Sequence, residues 1–371
     1  MANTAISFYD LKAQHAGYEA ELLAAAKRVI DSGYYILGPE VETFEAAFAT
    51  YSGRKYCVSV GNGLDAITLI LKALDLPRNK KVVTVANSFI ASALAATQAG
   101  HPVGLVDCDS AYLLDVAALD KLDPTQVAAL LPVHLYGQMA DMPRIKAWAK
   151  MHKIPVIEDS AQAHGALRDG QSPGYETVAA TYSFYPGKNL GALGDAGCVT
   201  TDDINLADKL RVLRSYGSVV KYHHELQGTN SRMDPIQAAI LGVKLKHVKG
   251  LTEKRFALAR EYTAGLSNVK GIRTPEIQGG EKTVHVYHQY VIEADRRDEL
   301  QKHLTDRGIG TLIHYPVPIH KAAAYAEELG RVQAPKSEHY AARILSLPIW
   351  PGMSSEMVQT VCSAIKDFYR H

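Results

Sequence analysis

The amino-acid sequence predicts an α/β fold: a mostly parallel sheet with helices on both faces, followed by a smaller C-terminal α+β domain. Three observations predict it. From Lys55 to about Thr200, short apolar strands alternate with helical segments. Polar and aromatic residues gather just past the C-terminal ends of those strands, where ligands bind on such sheets. After about residue 250 the alternation gives way to a mixture of helices and short extended runs. The expected domains are 1–249, including an N-terminal segment, and 250–371.

The N-terminal segment has an extended Ile6-Ser7-Phe8, then a helical pattern from about Gln14 to Ile30. Gly33-Tyr34-Tyr35-Ile36-Leu37-Gly38-Pro39 breaks it, and a second helix runs from about Pro39 to Tyr51, with proline in the first turn as helices prefer. Tyr34 and Tyr35 either pack on their loop or line a pocket. Tyr56 to Val60 is the first strand, turned by Gly61-Asn62-Gly63 into a helix over 64–74. Asn62 can cap that helix, and its unpaired N–H groups make an anion site. A tight strand-to-helix turn needs glycine in any case, so this turn alone is weak evidence.

Further strands follow at 82–85, 102–106, 128–134 and 154–157. Phe89 falls just past the first of these, placed for a flat ring or for the core. The last carries Glu158-Asp159-Ser160-Ala161-Gln162 at its end. Asn62, Phe89, Asp159 and Gln162 all sit at strand ends, and this shared placement outweighs any one motif. A helix over 205–215 precedes a polar, glycine-punctuated stretch to Asp234, long for a structureless connection and therefore a functional candidate. From Pro235 a helix runs to about Val248, is broken at Gly250 and resumes to Leu266. A strand over 284–294, a helix over 297–307, an extended segment around Pro316 and Pro318, and a last helix over 355–369 complete the pattern.

Composition narrows the function. At 47% hydrophobic and 21% charged, the 371-residue chain is ordinary globular protein. A net charge of +1 supplies no basic field for nucleic acid or an anionic membrane. Four scattered cysteines without a Cys-x-x-Cys pair argue against zinc and against a disulfide scaffold. No apolar run reaches the roughly 18 residues of a membrane span. Met1 to Ser7 has no basic stretch before an apolar core, so a cytoplasmic protein is expected. His223-His224 and His285/His288 lack carboxylate or thiolate partners at ligand spacing, so no metal is expected.

One stretch organises the rest. Residues 183–197 place Lys188 among four glycines, a proline and two aromatics. A solvated lysine on a surface turn is the plain reading. A phosphate loop fails, because Tyr182 replaces its first glycine and Asn189 its Ser/Thr. What remains is a desolvated lysine that condenses with a carbonyl, for which pyridoxal phosphate is the common partner. That cofactor needs a carboxylate at its ring nitrogen, a flat group on its ring and a phosphate cradle. Asp159 is placed for the first, while a helix cap or salt bridge is its alternative.

Glu-Asp-Ser-Ala-Gln-Ala-His-Gly-Ala at 158–166, followed by Ser-Phe-Tyr-Pro-Gly-Lys-Asn-Leu-Gly-Ala-Leu-Gly-Asp-Ala-Gly, strongly resembles the DegT/DnrJ/EryC1/StrS sugar aminotransferases, of pyridoxal phosphate fold type I. The similarity runs from Gly-Pro-Glu-Val-Glu at 38–42 through Gly-Thr-Asn-Ser-Arg-Met-Asp to His-Tyr-Pro at 314–316. It implies that Lys188 holds the cofactor, Asp159 pairs with the ring nitrogen, Gln162 reaches the ring hydroxyl and Phe89 stacks on the ring. It also gives the phosphate to Ser183, Gly63 and Leu64, and to Asn230 across a homodimer interface. The chain departs from the family's usual Ser-Gly-Thr at the first turn, where it has Gly61-Asn62-Gly63. Gly-Asn-Gly-Leu-Asp-Ala, Ser-Tyr-Gly-Ser and Lys-Tyr ahead of Gly-x-Asn-Ser-Arg resemble the branch that aminates carbon 3 of dTDP-3-keto-6-deoxyhexoses.

The resemblance further implies L-glutamate as donor, a product of the Fuc3N or Qui3N type, and substrate contacts from Tyr35, Tyr185, Tyr222, His314, Tyr315 and His320. Amination of a 4-keto nucleotide sugar or a cyclitol ketone is the alternative among enzymes. A sensor that keeps the cofactor without turnover is the alternative outside them.

Overall fold

The computed structural model describes residues 5–220 and 222–370. Met1 to Thr4 of the expected leaderless start, and Lys221 of the Lys-Tyr pair, lie outside the described residues.

The first part of the chain holds helices α1 (Glu19–Ser32) and α2 (Pro39–Ser52), then strand β1 (Tyr56–Val60) and helix α3 (Gly63–Ala73). Next come β2 (Lys81–Val85), α4 (Ala91–Gln98), β3 (Val103–Val106), the short α5 (Val116–Leu119), β4 (Val127–Leu130), α6 (Met142–His152), β5 (Ile157–Asp159), β6 (Ala179–Ser183), β7 (Gly197–Thr201) and α7 (Ile204–Leu213). Parallel pairing joins β3 to β2 and β2 to β4. Parallel bridges Leu130–Val156 and Val133–Asp159 carry the sheet on to β5, which pairs in parallel with β6. Strand β7 is the exception, antiparallel to both β6 and β1. The order is thus β3-β2-β4-β5-β6-β7-β1, with every strand but β7 running the same way. Strands buried on both faces read as valine-rich runs, as in Lys81–Val85 and Val103–Val106, because helices cover the sheet on each side.

After the hairpin β8 (Ser218–Val220) and β9 (His223–His224), helix α8 runs unbroken from Pro235 to Leu266. The break expected at Gly250 is absent. A glycine there costs only about 1 kcal/mol, and a methyl group at Gly250 would meet nothing within 4 Å. Packing of α8 on α1, α2 and the last helix outweighs that cost. The expected division at 249/250 therefore falls inside one helix.

A second, antiparallel sheet orders β10 (Ile272–Arg273), β11 (Tyr290–Ala294) and β12 (Ile344–Leu347). Helices α9 (Arg297–Thr305) and α12 (Ser355–Tyr369) pack on it with the end of α8, around Tyr262, Leu300 and Val361. The short α10 (Ala326–Leu329) and α11 (Pro335–Ala341) lie between. The strand expected over 284–294 is confined to β11. Residues 284–289 instead form an irregular segment that reaches the large sheet's loops, through Leu167–Val284 and Val286 N–H to Gly137 O. The N-terminal segment ties in here as well, since Ile6 pairs with Ile309.

Candidate active site

The C-terminal ends of β1, β2, β5 and β6 open onto one cavity of about 460 Å³, closed on its far side by residues 288–289 and 312–315. Its volume lies in the roughly 300–1,000 Å³ range of small-molecule sites. Lys188, Asp159, Gln162, Phe89, Ser183, Gly63, Leu64, Tyr185, His314 and Tyr315 all line it. These residues are brought together from five separate stretches of sequence.

The Lys188 loop is built tightly. Phe184 N–H donates to Ala196 O, and Ala192 N–H to Phe184 O, each at 2.7 Å. Only glycine fits at 191, where a Cβ would stand 2.3 Å from Pro186 O. Lys244 of α8 donates to Gly191 O at 2.6 Å, and the Asn189 amide donates to Val286 O at 2.9 Å. The Lys188 amine opens onto the cavity but is surrounded by protein. Desolvation lowers its pKa to about 8, against the smaller opposing pull of Asp159. Three histidines stand near it, and burial keeps each neutral. His164 falls to about 3, His314 to about 4, and His288 well below its ordinary value, with the Lys188 charge as a second cause in each. No carboxylate besides Asp159 shifts the lysine, so the amine is a free base at mildly alkaline pH.

Asp159 ends β5. Its Oδ2 accepts from Ser92 Oγ at 2.9 Å and its Oδ1 from Ala161 N–H at 3.1 Å. Ser92 is shared with Ser88, so a short hydroxyl chain orients the carboxylate. Its neighbour Glu158 turns to the opposite face. There it accepts from His134 at 2.7 Å, Gly174 N–H at 2.8 Å and Thr177 Oγ1 at 2.6 Å. Because His134 Nδ1 accepts from Ala140 N–H, the imidazole must carry its proton on Nε2. Gln162 is fixed by Tyr136 N–H, which donates to its Oε1 at 2.6 Å, and by its own Nε2, which donates to the Tyr315 hydroxyl at 3.1 Å. A second Gln162 N–H remains. Phe89, 52% exposed, stands 5.2 Å from the Tyr315 ring.

At the start of α3, Asn62 Oδ1 accepts from Asp65 N–H at 2.8 Å, and Asn62 O accepts from Ala66 N–H. The capping role takes up the Asn62 side chain, and the third position of the turn, where the resemblance puts threonine, is Gly63. The N–H groups of Gly63 and Leu64 come first in the helix and have no partner within it. Both residues line the cavity beside Ser183. Gly197 makes the fit possible, since a Cβ there would lie 2.4 Å from the Asn62 carbonyl carbon.

These residues fit pyridoxal phosphate on the structure's own terms. A desolvated amine, a carboxylate with both oxygens oriented, an exposed aromatic face and a helix start with free N–H groups face one space. Among the described residues no group of three or more His, Cys, Asp or Glu side chains could hold a metal ion, and no helix is long and apolar enough to cross a membrane.

Four sequence candidates lie outside the cavity of this chain. Tyr35 is 56% and Tyr222 80% exposed, and Asn230 is exposed beside a bridge to Ser215. His320 requires a correction. It is fully buried, with Nε2 on Glu338 Oε1 at 2.9 Å, and its two-proline approach places it behind the wall rather than in it. Conversely, Tyr9, Asp195, His288, Gln289 and Leu312 line the cavity without having been singled out as contacts. Tyr9 accepts a hydrogen bond from Gln289 Nε2, and burial raises its pKa. No local pattern marks Tyr9, His288 and Gln289, because they arrive from the N-terminal segment and the irregular 284–289 run.

Comparison with known proteins agrees with this geometry. The DegT/DnrJ/EryC1/StrS aminotransferase family matches residues 17–366. A dTDP-3-amino-3,4,6-trideoxy-alpha-D-glucose transaminase of Streptomyces venezuelae is 43% identical over 98% of this chain and 96% of its own length. A dTDP-3-amino-3,6-dideoxy-alpha-D-galactopyranose transaminase of Aneurinibacillus thermoaerophilus is 43% identical over 98% of this chain and 99% of its own. The crystal structure of S. venezuelae DesV superposes with a TM-score of 0.95 at 43% identity, covering 99% of each chain. A match of this extent, over a cavity that already gathers the lysine, the carboxylate and the helix start, makes the chain a pyridoxal phosphate-dependent member of the DegT/DnrJ/EryC1/StrS aminotransferase family.

Proposed function

We propose that the protein moves an amino group from L-glutamate to the 3-keto carbon of a dTDP-3-keto-6-deoxyhexose, giving a dTDP-Fuc3N or dTDP-Qui3N type product. The observation that carries the amino transfer is the convergence of Lys188, Asp159, Gln162 and the start of α3 on one cavity. The choice of nucleotide and of carbon 3 rests on the relatives named above, both of which act on dTDP-3-amino sugars.

When bound, pyridoxal phosphate supplies the electron sink for the broken Cα–H bond. Lys188 would hold the cofactor through Nζ. Its free amine would take the α-proton of L-glutamate as general base and would deliver a proton to carbon 3 of the sugar as general acid. Asp159 would keep a proton on the cofactor's ring nitrogen, the remaining Gln162 N–H would hold its ring hydroxyl, and Phe89 would pack on its ring. Ser183 and the N–H groups of Gly63 and Leu64 hold the phosphate. Tyr185, His314 and Tyr315 contact the sugar and exclude water.

The active unit in this reading is a homodimer. Its support is the exposed apolar surface of Tyr34, Tyr35, Ile36, Val219, Val220 and Tyr222, together with the outward placement of Asn230. Asn230 reaches the phosphate of the neighbouring subunit, and Tyr35 and Tyr222 complete its sugar site. A reducing, cytoplasmic setting fits the four free, buried cysteines.

The test is to give the cofactor-loaded protein L-glutamate with the 3-keto or the 4-keto dTDP-sugar, and to measure aminated product by mass spectrometry. Product from the 3-keto isomer is expected. Faster turnover of the 4-keto isomer would overturn the position, and an absorption band unchanged by L-glutamate would favour a sensor.

A further inference from the structure

Behind the start of α3 sits a hydrogen-bonded pair that the roles above leave unused. Ser231, 2% exposed, donates its hydroxyl to Asp65 Oδ2 at 2.6 Å and accepts from Gly61 N–H at 2.9 Å. Asp65 N–H in turn donates to Asn62 Oδ1. One serine hydroxyl thereby joins the residue before the Asn62-Gly63-Leu64 turn to the residue after it. The fit leaves little slack: a Cβ on Gly61 would stand 3.3 Å from Ser231 Oγ and 3.4 Å from Asp65 Oδ2.

Neither partner faces the catalytic cavity. Asp65 lines a separate open groove with Thr68, Lys72 and Thr229, so its charge is turned away from where a phosphate would lie. Ser231 is itself fixed from below. Its N–H donates to Arg214 O at 3.0 Å, and Arg214 Nη1 donates to Glu45 Oε1 at 2.5 Å and to Ser59 O at 2.7 Å. Arg214 and Glu45 are both buried, so the brace reaches from the 228–234 segment through β1 to α2. Donors held in place before a ligand arrives bind an anion without the cost of reordering the backbone.

We propose that Ser231 and Asp65 are positioning residues for the cofactor's phosphate: they lock the turn so that the Gly63 and Leu64 N–H groups stay aimed into the cavity. This rests on the reading that the phosphate sits at the start of α3. Neither side chain touches the phosphate.

The test compares two aldehydes that differ only in the phosphate. Apo-protein is titrated with pyridoxal phosphate and with pyridoxal, following the absorption of the Lys188-bound chromophore. Ser231→Ala is expected to weaken pyridoxal phosphate about tenfold, the scale of one well-formed hydrogen bond, and to change pyridoxal less than about twofold. Ser231→Thr, which keeps the hydroxyl, should restore most of the loss. If Ser231→Ala does not fold, Asp65→Asn is titrated in the same way. Equal losses for both aldehydes, or no loss for pyridoxal phosphate, overturn the proposal. A parent protein that binds both aldehydes alike would overturn the phosphate site itself.

Discussion

The cavity floor and the outer loops differ in how finished they are. Asp159 and Gln162 are each held by two hydrogen bonds from their own chain, and the Lys188 loop is pinned at Phe184, Asn189, Gly191 and Ala192. Tyr35, Tyr222 and Asn230 face solvent, on loops whose apolar side chains are also exposed. In the proposed reading, one chain carries the groups that move protons. The groups that would grip the phosphate and the sugar from outside would act on a second chain's site.

The largest effect should come from removing the amine. Lys188→Ala is expected to lower amino transfer by at least about 10⁴-fold, since nucleophile and proton carrier are lost together. Single-turnover mixing with L-glutamate reads this directly. Asp159→Asn should follow, with a loss of about 10²–10³-fold in kcat and little change in the parent fold. If it behaved like the parent, the floor would not be the finished half.

The same lysine gives a pH signature. Its folded pKa of about 8 lies below the ordinary 10.5, so between those values the unfolded chain binds more protons and stability rises with pH. Below pH 8 the buried charge costs at most about 3 kcal/mol. Apo Lys188→Met should therefore be the more stable protein at pH 7, and its advantage should shrink from pH 8 to 10.5. Chemical denaturation at several pH values checks the slope.

Asn230→Ala sharpens the other half of the contrast. It should weaken pyridoxal phosphate about tenfold. Mixing it with Lys188→Ala subunits should then create dimers with one intact site, and activity should return. Absence of recovery in confirmed mixed dimers would mean that Asn230 serves its own chain. The smallest effect belongs to His320→Ala. Its imidazole only meets Glu338, so activity should stay within about twofold while stability falls by about 1–2 kcal/mol.

The finished half was also the legible half. Lys188 stands in a glycine-rich loop and Asp159 at a strand end, and both features leave local marks in sequence. Asn62 was readable as a cap for the same reason, and the cap forms. Tyr9, His288 and Gln289 were not readable as cavity residues, because only tertiary packing of the N-terminal segment and the irregular 284–289 run carries them there. His320 was misplaced because a histidine among prolines looks like a loop residue until its neighbours are known. The unbroken α8 escaped a local reading too, since helix propensity at Gly250 is a weak term beside packing on α1, α2 and α12.

Helix α8 also works as a ruler. Lys244 grips the Lys188 loop at Gly191 O, and three turns further on Arg255 grips Ile349 O at 2.7 Å, just past β12. One residue inserted between them would rotate everything beyond it by about 100° and advance it about 1.5 Å. The two grips could then not both survive. Hybrid enzymes made by exchanging C-terminal domains between relatives should be joined beyond Leu266, with the measuring segment kept whole.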